Sequence, residues 1–292
     1  MKKDLLSVII PTFNRKLSII SRAIESVKKQ TYPYIEILII DDNKNNSHLS
    51  EEIKSYSKKE NIIYIKQFGN CGACAARNLG VINSNGEFIA FLDDDDEWLP
   101  SKSCEQIEVL KKGYGLVFSK GVNVYTNITE RITPYGNNDN FVQTPCFEDL
   151  LVKNYIGTTS QIMIRRECFF RIQGFDPKFY ARQDYDFCLR ISQHYKLYGI
   201  NKILFKHYKH SEAQISKNVD STLQGYKMLF KKYKIFYIKH DLAYVNICCK
   251  IAKSYLHKKM YLHWFIWCFK SIIKSPSCLN YILKKSCESK II

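Results

Sequence analysis

Three apolar runs in the first hundred residues each stop at a polar, mostly acidic corner, and no other feature limits the fold as much. Ser7-Val8-Ile9-Ile10 ends at Pro11-Thr12-Phe13-Asn14, Ile35 to Ile40 ends at Asp41-Asp42-Asn43, and Phe88 to Leu92 ends at Asp93-Asp94-Asp95-Asp96. Between them lie segments of helical spacing: Leu17 to Lys29, with Ile20, Ala23, Ile24 and Val27 on one side, and the small-residue stretch Gly72 to Asn83. Ile62 to Phe68 reads as a further strand, preceded by a polar stretch with a weaker helical pattern. Continuous apolar strands separated by helices predict an α/β fold, Rossmann-like, with a mostly parallel central sheet flanked by helices. Ligands of such sheets bind beyond the carboxyl ends of the strands, so the three corners are expected on one edge.

Four adjacent carboxylates repel one another unless something cationic is held among them. As hard oxygen donors they suit Mg²⁺ or Mn²⁺, ions that commonly also hold a phosphate. A solvated acidic turn is the plainer reading; the position after a buried strand, beside two other polar corners, favours the ligand site. No G-x-G-x-x-G follows the first strand, which argues against a dinucleotide-binding dehydrogenase.

Beyond Pro100 the pattern loosens. Ser101 to Lys112 reads as helix, Gly115 to Tyr125 as strand, Asn127 to Thr144 as polar loop and Gln161 to Ile164 as strand. Gly174 to Pro177 reads as a turn, Asp184 to Tyr195 as an amphipathic helix, and the chain from about Asp220 as mostly helical. Charge is uneven: residues 201–292 hold 18 Lys and no Arg against four acidic residues, which is +14 of the net +16. Lys alternates there with Tyr, Phe, Trp and Ile, a pattern suited to an anionic membrane surface, to a solvated face over an aromatic core, or, in third place, to single-stranded nucleic acid. The eleven cysteines are scattered and odd in number, and the apolar stretch before Pro11 is too brief for a secretory leader. A reducing, cytoplasmic compartment is therefore expected. Cys71-Gly72-Ala73-Cys74 has no second pair at zinc spacing and reads as incidental small residues at a helix start. No apolar run reaches the ~20 residues of a membrane span.

At this point the motifs resemble a known family. Val8-Ile9-Ile10-Pro11-Thr12-Phe13-Asn14-Arg15, Ile39-Ile40-Asp41-Asp42-Asn43, the run from Asn70 to Gly80 and the run from Phe91 to Pro100 are similar, in that order, to the motifs of family 2 glycosyltransferases. The resemblance covers roughly residues 5–215 and implies the GT-A fold. On that basis residues 1–215 are expected to form the transferase domain, with a nucleotide-binding half (1–100) and an acceptor-binding half (101–215). Residues 216–292 then form a basic, aromatic helical extension. The activity implied is inverting transfer of a sugar from a nucleotide-sugar, most simply a UDP-sugar, to a hydroxyl of a glycan or lipid-linked acceptor. Surface-polysaccharide synthesis at the inner face of the cell membrane is the setting. A nucleotidyltransferase and a non-catalytic basic binding protein are the rival classes; the first lacks its Gly-rich loop here.

The resemblance also implies roles. Pro11, Phe13, Asp42, Arg77, Asp93 and Asp94 belong to the donor site, with Phe13 a flat face for a uracil-like base and Asp42 an acceptor for its ring N–H. Both have plain alternatives, an aromatic in the core and an Asp in a turn or helix cap, and Arg77 meets the pyrophosphate, braces the acidic cluster or lies on a plain helix surface. The metal ligands are Asp95 and Asp93, with His210 a further contact to phosphate or metal, and the cofactor is Mn²⁺ or Mg²⁺. Asp96 caps the next helix or supports this shell. The family's catalytic base falls on Asp184, where the chain has Gln183 in place of the usual Glu, and Asp186 is a weaker rival. A helix N-terminus there favours the ionised form of Asp184.

Overall fold

The computed structural model describes residues 1–44, 47–68, 71–125, 131–134, 141–209 and 218–276. The expected alternation is present. Strands β1 (Lys2–Thr12), β2 (Ile35–Asp41), β3 (Ile63–Lys66) and β4 (Gly86–Phe91) alternate with helices α1 (Leu17–Lys28), α2 (His48–Lys59) and α3 (Gly72–Ile82). All pairings among these strands are parallel, in the order β3-β2-β1-β4.

The alternation of side chains across these strands explains the sheet's burial. Ile9, Leu38, Ile40, Ile89 and Phe91 enter one apolar cluster, while Val8, Ile10, Ile39, Phe88 and Ala90 enter the other. Successive residues point to opposite faces, so both faces need helices and the strands read as unbroken apolar runs. Helix α1 buries Ile20, Ala23, Ile24 and Val27, the four residues of its predicted stripe. Helix α3 lies close on the sheet at Gly80, where a Cβ would sit 2.4 Å from Ile9 Cγ2.

The second half completes a single nine-stranded sheet with a different pairing pattern. It adds β5 (Glu97–Trp98), β6 (Leu116–Tyr125), β7 (Arg131–Pro134), β8 (Met163–Arg165) and β9 (Leu197–Lys209). Strand β8 joins β4 and β6 antiparallel, β9 runs parallel to β6, and β5 and β7 pair antiparallel with β9 and β6. Helices α4 (Lys102–Leu110), α5 (Phe147–Val152), α6 (Arg166–Arg171) and α7 (Gln183–Ser192) pack around it. Two sequence expectations change here. Strand β7 lies within the segment read as polar loop, and Gln161 belongs to a 3₁₀ turn (Thr159–Gln161) rather than to the strand after it. The 13-residue β9 has no counterpart in the sequence reading; its register against β6 shifts twice, so no regular alternation survives.

The C-terminal helices are α8 (Val219–Lys232), α9 (Lys234–Lys239), α10 (Asp241–His257) and α11 (Tyr261–Lys274). Leu223, Leu229, Tyr233, Ile247 and Ile251 enter the same apolar cluster as Phe187 and Leu189 of α7. Helices α8 and α10 are thus built into the core of the sheet domain, while α11 lies on α10.

Candidate active site

The acidic run leaves β4 at the carboxyl edge of the sheet, next to the end of β1 and the start of α3. Each of its four carboxylates is held differently. Asp93 accepts from Arg77 Nη2 at 2.7 Å and from the hydroxyls of Thr158 and Thr159 at 3.1 and 3.0 Å. Burial acts to raise its pKa, but Arg77 and the two hydroxyls outweigh this and hold Asp93 below the usual carboxylate range. Asp94 accepts from Thr12 Oγ1 at 2.7 Å and Arg15 Nε at 3.1 Å. Asp95 accepts from Arg15 Nη2 at 2.9 Å, while Arg22 donates to its backbone carbonyl.

One arginine does not neutralise this pair. Burial pushes Asp94 up to about 6, against the pull of Arg15 and Thr12. Burial together with repulsion from Asp96 and Asp94 pushes Asp95 up to about 7. Fully buried Asp96 accepts from Ser160 Oγ at 2.6 Å and meets His207 Nδ1 at 2.8 Å. Burial opposes the charged form of His207, yet Asp96 outweighs it and the imidazole is held above its ordinary pKa. Helix α4 has Ser101 as its N-cap, so Asp96 does not cap it; of its two expected roles it takes support of the cluster.

Asp42 lies on the neighbouring strand end. Its carboxylate accepts from Gln67 Nε2 at 2.7 Å and from the backbone amides of Cys71 and Gly72 at 2.9 and 2.8 Å. Three of roughly four acceptor positions of the carboxylate are thereby filled, and the carboxylate anchors the start of α3. Gly72 sits at φ +84°, a left-handed conformation that needs a residue without a Cβ. Pro11 pairs with Ile40 inside the sheet, and Phe13 just beyond it is 49 % exposed, a flat apolar ring open at the edge.

Asp184 lies in the first turn of α7. Burial raises its pKa despite Arg182, its own helix amide and Arg77, and Asp93 is close enough to push it further up. The expected preference for the ionised form at the helix start is thus reversed, because desolvation outweighs the helix end. Arg182, the preceding cap, adopts φ +64° without being Gly, a conformation that costs on the order of 1–3 kcal/mol and persists where the surroundings impose it. Asp186 faces away from the cluster: it accepts from Tyr233 Oη at 2.9 Å and Arg190 Nε at 2.8 Å, with Lys232 Nζ at 2.8 Å. Those partners bind α7 to α8, so Asp186 belongs to the scaffold. His210 lies outside the described residues.

The structure therefore brings Phe13, Asp42, Arg77 and the acidic run to one sheet edge, with Asp184 close by. The roles of six residues escaped the sequence reading: Thr12, Arg15, Thr158, Thr159, Ser160 and His207. Arg15 stands in the first motif, and the Thr158–Gln161 capping box is a readable signal of an ordered turn.

Among the described residues no three His, Cys, Asp or Glu side chains converge as a ready-made metal cage. The donor set nonetheless fits a divalent cation that keeps other ligands. Mg²⁺-type ions take one or two carboxylates and fill the rest of their shell with phosphate and water. Asp94 and Asp95, raised chiefly by burial, share the single guanidinium of Arg15.

A doubly covered α/β sheet with a carboxylate cluster at its carboxyl edge defines a ligand-binding α/β class, and known proteins place the chain more narrowly. The family model for glycosyl transferase family 2 matches residues 7–172, and the chain belongs to that family. It is 31% identical over 79% of its length, and 81% of the relative's, to WcaA of Escherichia coli K12, a glycosyl transferase provisionally named for colanic acid biosynthesis. S. aureus TarS residues 1–349 in complex with UDP-GlcNAc superposes at TM-score 0.65 with 15% identity, covering 97% of this chain and 88% of that one. GalNAc-T7 with UDP, GalNAc and Mn²⁺ superposes at TM-score 0.59 with 22% identity, over 72% of this chain and 45% of that one. These likenesses establish the GT-A fold, and family membership makes the chain a glycosyltransferase. The nucleotidyltransferase and non-catalytic readings are set aside.

Proposed function

We propose that the protein transfers a sugar, with inversion, from a UDP-sugar to a hydroxyl of a glycan or lipid-linked acceptor in surface-polysaccharide synthesis. The observation that carries this reading is the proximity of Arg77 and Asp93 to Asp184, whose carboxyl is raised. In this reading Arg77 and Asp93 serve the donor diphosphate and Asp184 serves as the acceptor base beside them. The UDP-GlcNAc complex of TarS supports a uridine donor, and the name of WcaA supports a polysaccharide product.

In this reading Phe13 stacks on the base, and the remaining acceptor position of Asp42 takes its ring N–H. Arg77 donates to the diphosphate through Nε and Nη1, which have no hydrogen-bond partner among the described residues. Asp184 removes the acceptor proton as the oxygen attacks the anomeric carbon; the C–O bond to the nucleoside diphosphate breaks on the opposite face, inverting the centre. A carboxylate whose pKa burial raises binds a proton more strongly than a free Asp, which favours its use as a base. Asp95 and Asp93 are the residues to hold Mn²⁺ or Mg²⁺, which when bound neutralises charge on the departing diphosphate. The Mn²⁺ in the GalNAc-T7 structure supports that assignment. The basic extension meets the membrane surface where lipid-linked acceptors lie.

Thermal-shift or calorimetric titration with UDP, GDP, dTDP and CDP, each with and without Mn²⁺, tests the reading. Metal-dependent stabilisation by UDP above the others is the expected result. No response to any nucleotide removes its basis.

A further inference from the structure

We propose that the outward face of α11 docks the protein on an anionic lipid bilayer, lying flat in the headgroup region. This deepens the lipid-linked-acceptor reading, and its evidence is independent of the donor site.

Helix α11 is apolar on two opposite sides. Its inner side is occupied: Trp267 packs on Phe230 of α8 with ring centroids 5.3 Å apart, His263 stacks on Tyr255, and Ile272 covers Val245 and Cys249 of α10. On its outer side Leu262, Phe265, Phe269 and Ile273 are 70%, 59%, 52% and 65% exposed. They recur at three- and four-residue spacing and therefore form one stripe along the helix. Phe265 and Phe269 stack on each other, which makes the stripe continuous. A contiguous exposed patch of this kind marks an interaction surface.

The charges around the stripe select the occupant. Among the described residues from Leu242 to Pro276 the chain has six Lys and no acidic residue, with Lys258 and Lys274 paired to Asp220 and Asp241. Exposed Lys270, its amine over the Trp267 ring at 4.3 Å, lies on α11 itself. Two copies of such a face repel each other, whereas an anionic headgroup layer complements it. The dimensions agree. At 14 residues α11 is about 21 Å long, short of the ~30 Å hydrocarbon core. Among the described residues no helix is long and apolar enough to cross a membrane. With one side held on α10, the helix lies in the interface, its lysines reaching the headgroups. The Tyr233–Asp186 contact joins this helical layer to α7, and so to Asp184 two residues away. Docking therefore sets the site at a fixed height above the membrane.

The test is sedimentation of the full chain with vesicles of phosphatidylcholine alone or mixed with phosphatidylglycerol, alongside UDP/Mn²⁺ thermal shifts on the same samples. Preferential binding to the phosphatidylglycerol vesicles is expected, about tenfold or more, weakening with salt. The double substitution Phe265→Ser/Phe269→Ser should lower binding at least tenfold, and Lys259→Glu/Lys270→Glu should abolish the lipid preference. Intact melting and nucleotide responses in these variants show that the fold and donor site survive. If wild-type protein leaves both vesicle types unbound, or binds them equally, the inference fails while the donor reading is untouched. A wild-type dimer that Phe265→Ser dissociates would identify a second copy as the occupant and overturn it likewise.

Discussion

Arg77 lies 2.7 Å from Asp93 with its guanidinium buried, and its Nε and Nη1 have no hydrogen-bond partner among the described residues. A buried cation with donors left over is costly unless a ligand completes it. Arg77→Met is therefore expected to weaken UDP binding at least tenfold, about 1.4 kcal/mol. It also leaves Asp93 buried without its cation, lowering stability by about 3 kcal/mol. Arg77→Lys should restore part of the stability but not the affinity, since Lys lacks the planar fork. Calorimetry with UDP and urea unfolding separate the two effects.

Asp184 and Asp186 stand two residues apart and should fail differently. Asp184→Asn is expected to reduce turnover about 10²- to 10⁴-fold with UDP binding and melting temperature kept. Asp186→Asn leaves Arg190, Lys232 and Tyr233 without their shared carboxylate. It should cost about 3–5 kcal/mol of stability. Equal losses of activity and equal stabilities in the two variants would refute the division of roles.

The acidic run makes the free protein pH-sensitive in a defined direction. The folded pKa values of Asp94, about 6, and Asp95, about 7, lie above those of the unfolded chain. Between ordinary carboxylate values and pH 7 the folded state binds more protons, so these residues' contribution is present at low pH and lost as pH rises through 6 to 7. Without metal, the protein should melt higher at pH 5.5 than at pH 7.5 as far as these groups decide. Mn²⁺ with UDP should reverse the order, and Asp95→Asn should flatten the metal-free dependence. Melting curves across that range, with and without Mn²⁺, read this directly.

Gly86 begins β4 where it meets β1. A Cβ there would lie 2.6 Å from the Leu5 carbonyl oxygen and 2.8 Å from the Ser7 amide nitrogen, both backbone atoms that cannot swing away. Gly86→Ala is expected to destabilise by about 1–3 kcal/mol. In Gly113→Ala the added Cβ meets nothing within 4 Å, so only the strain at φ +96° remains, on the order of 1 kcal/mol. Denaturant midpoints of the two variants give the comparison.

The parallel half of the sheet, its helices and the shared edge of Pro11 to Asn14, Asp41 to Asn43 and Asp93 to Asp96 follow from sequence alone. Strands buried on both faces must be continuously apolar, and crossover helices must carry one stripe, so the pattern is local and legible. Tertiary structure decided what was not local. Strand β9 takes its place from pairing with β6 and β5 across long separations, and its broken alternation hides it from any periodic reading. The ionisation of the acidic run depends on which cations fold against it: Arg15 from the end of β1, Arg77 from α3 and His207 from β9. Asp184 and Asp186 are near neighbours in a chain that does not say which way each points. Helix α7 made that choice by burying Asp186 against Tyr233, Arg190 and Lys232.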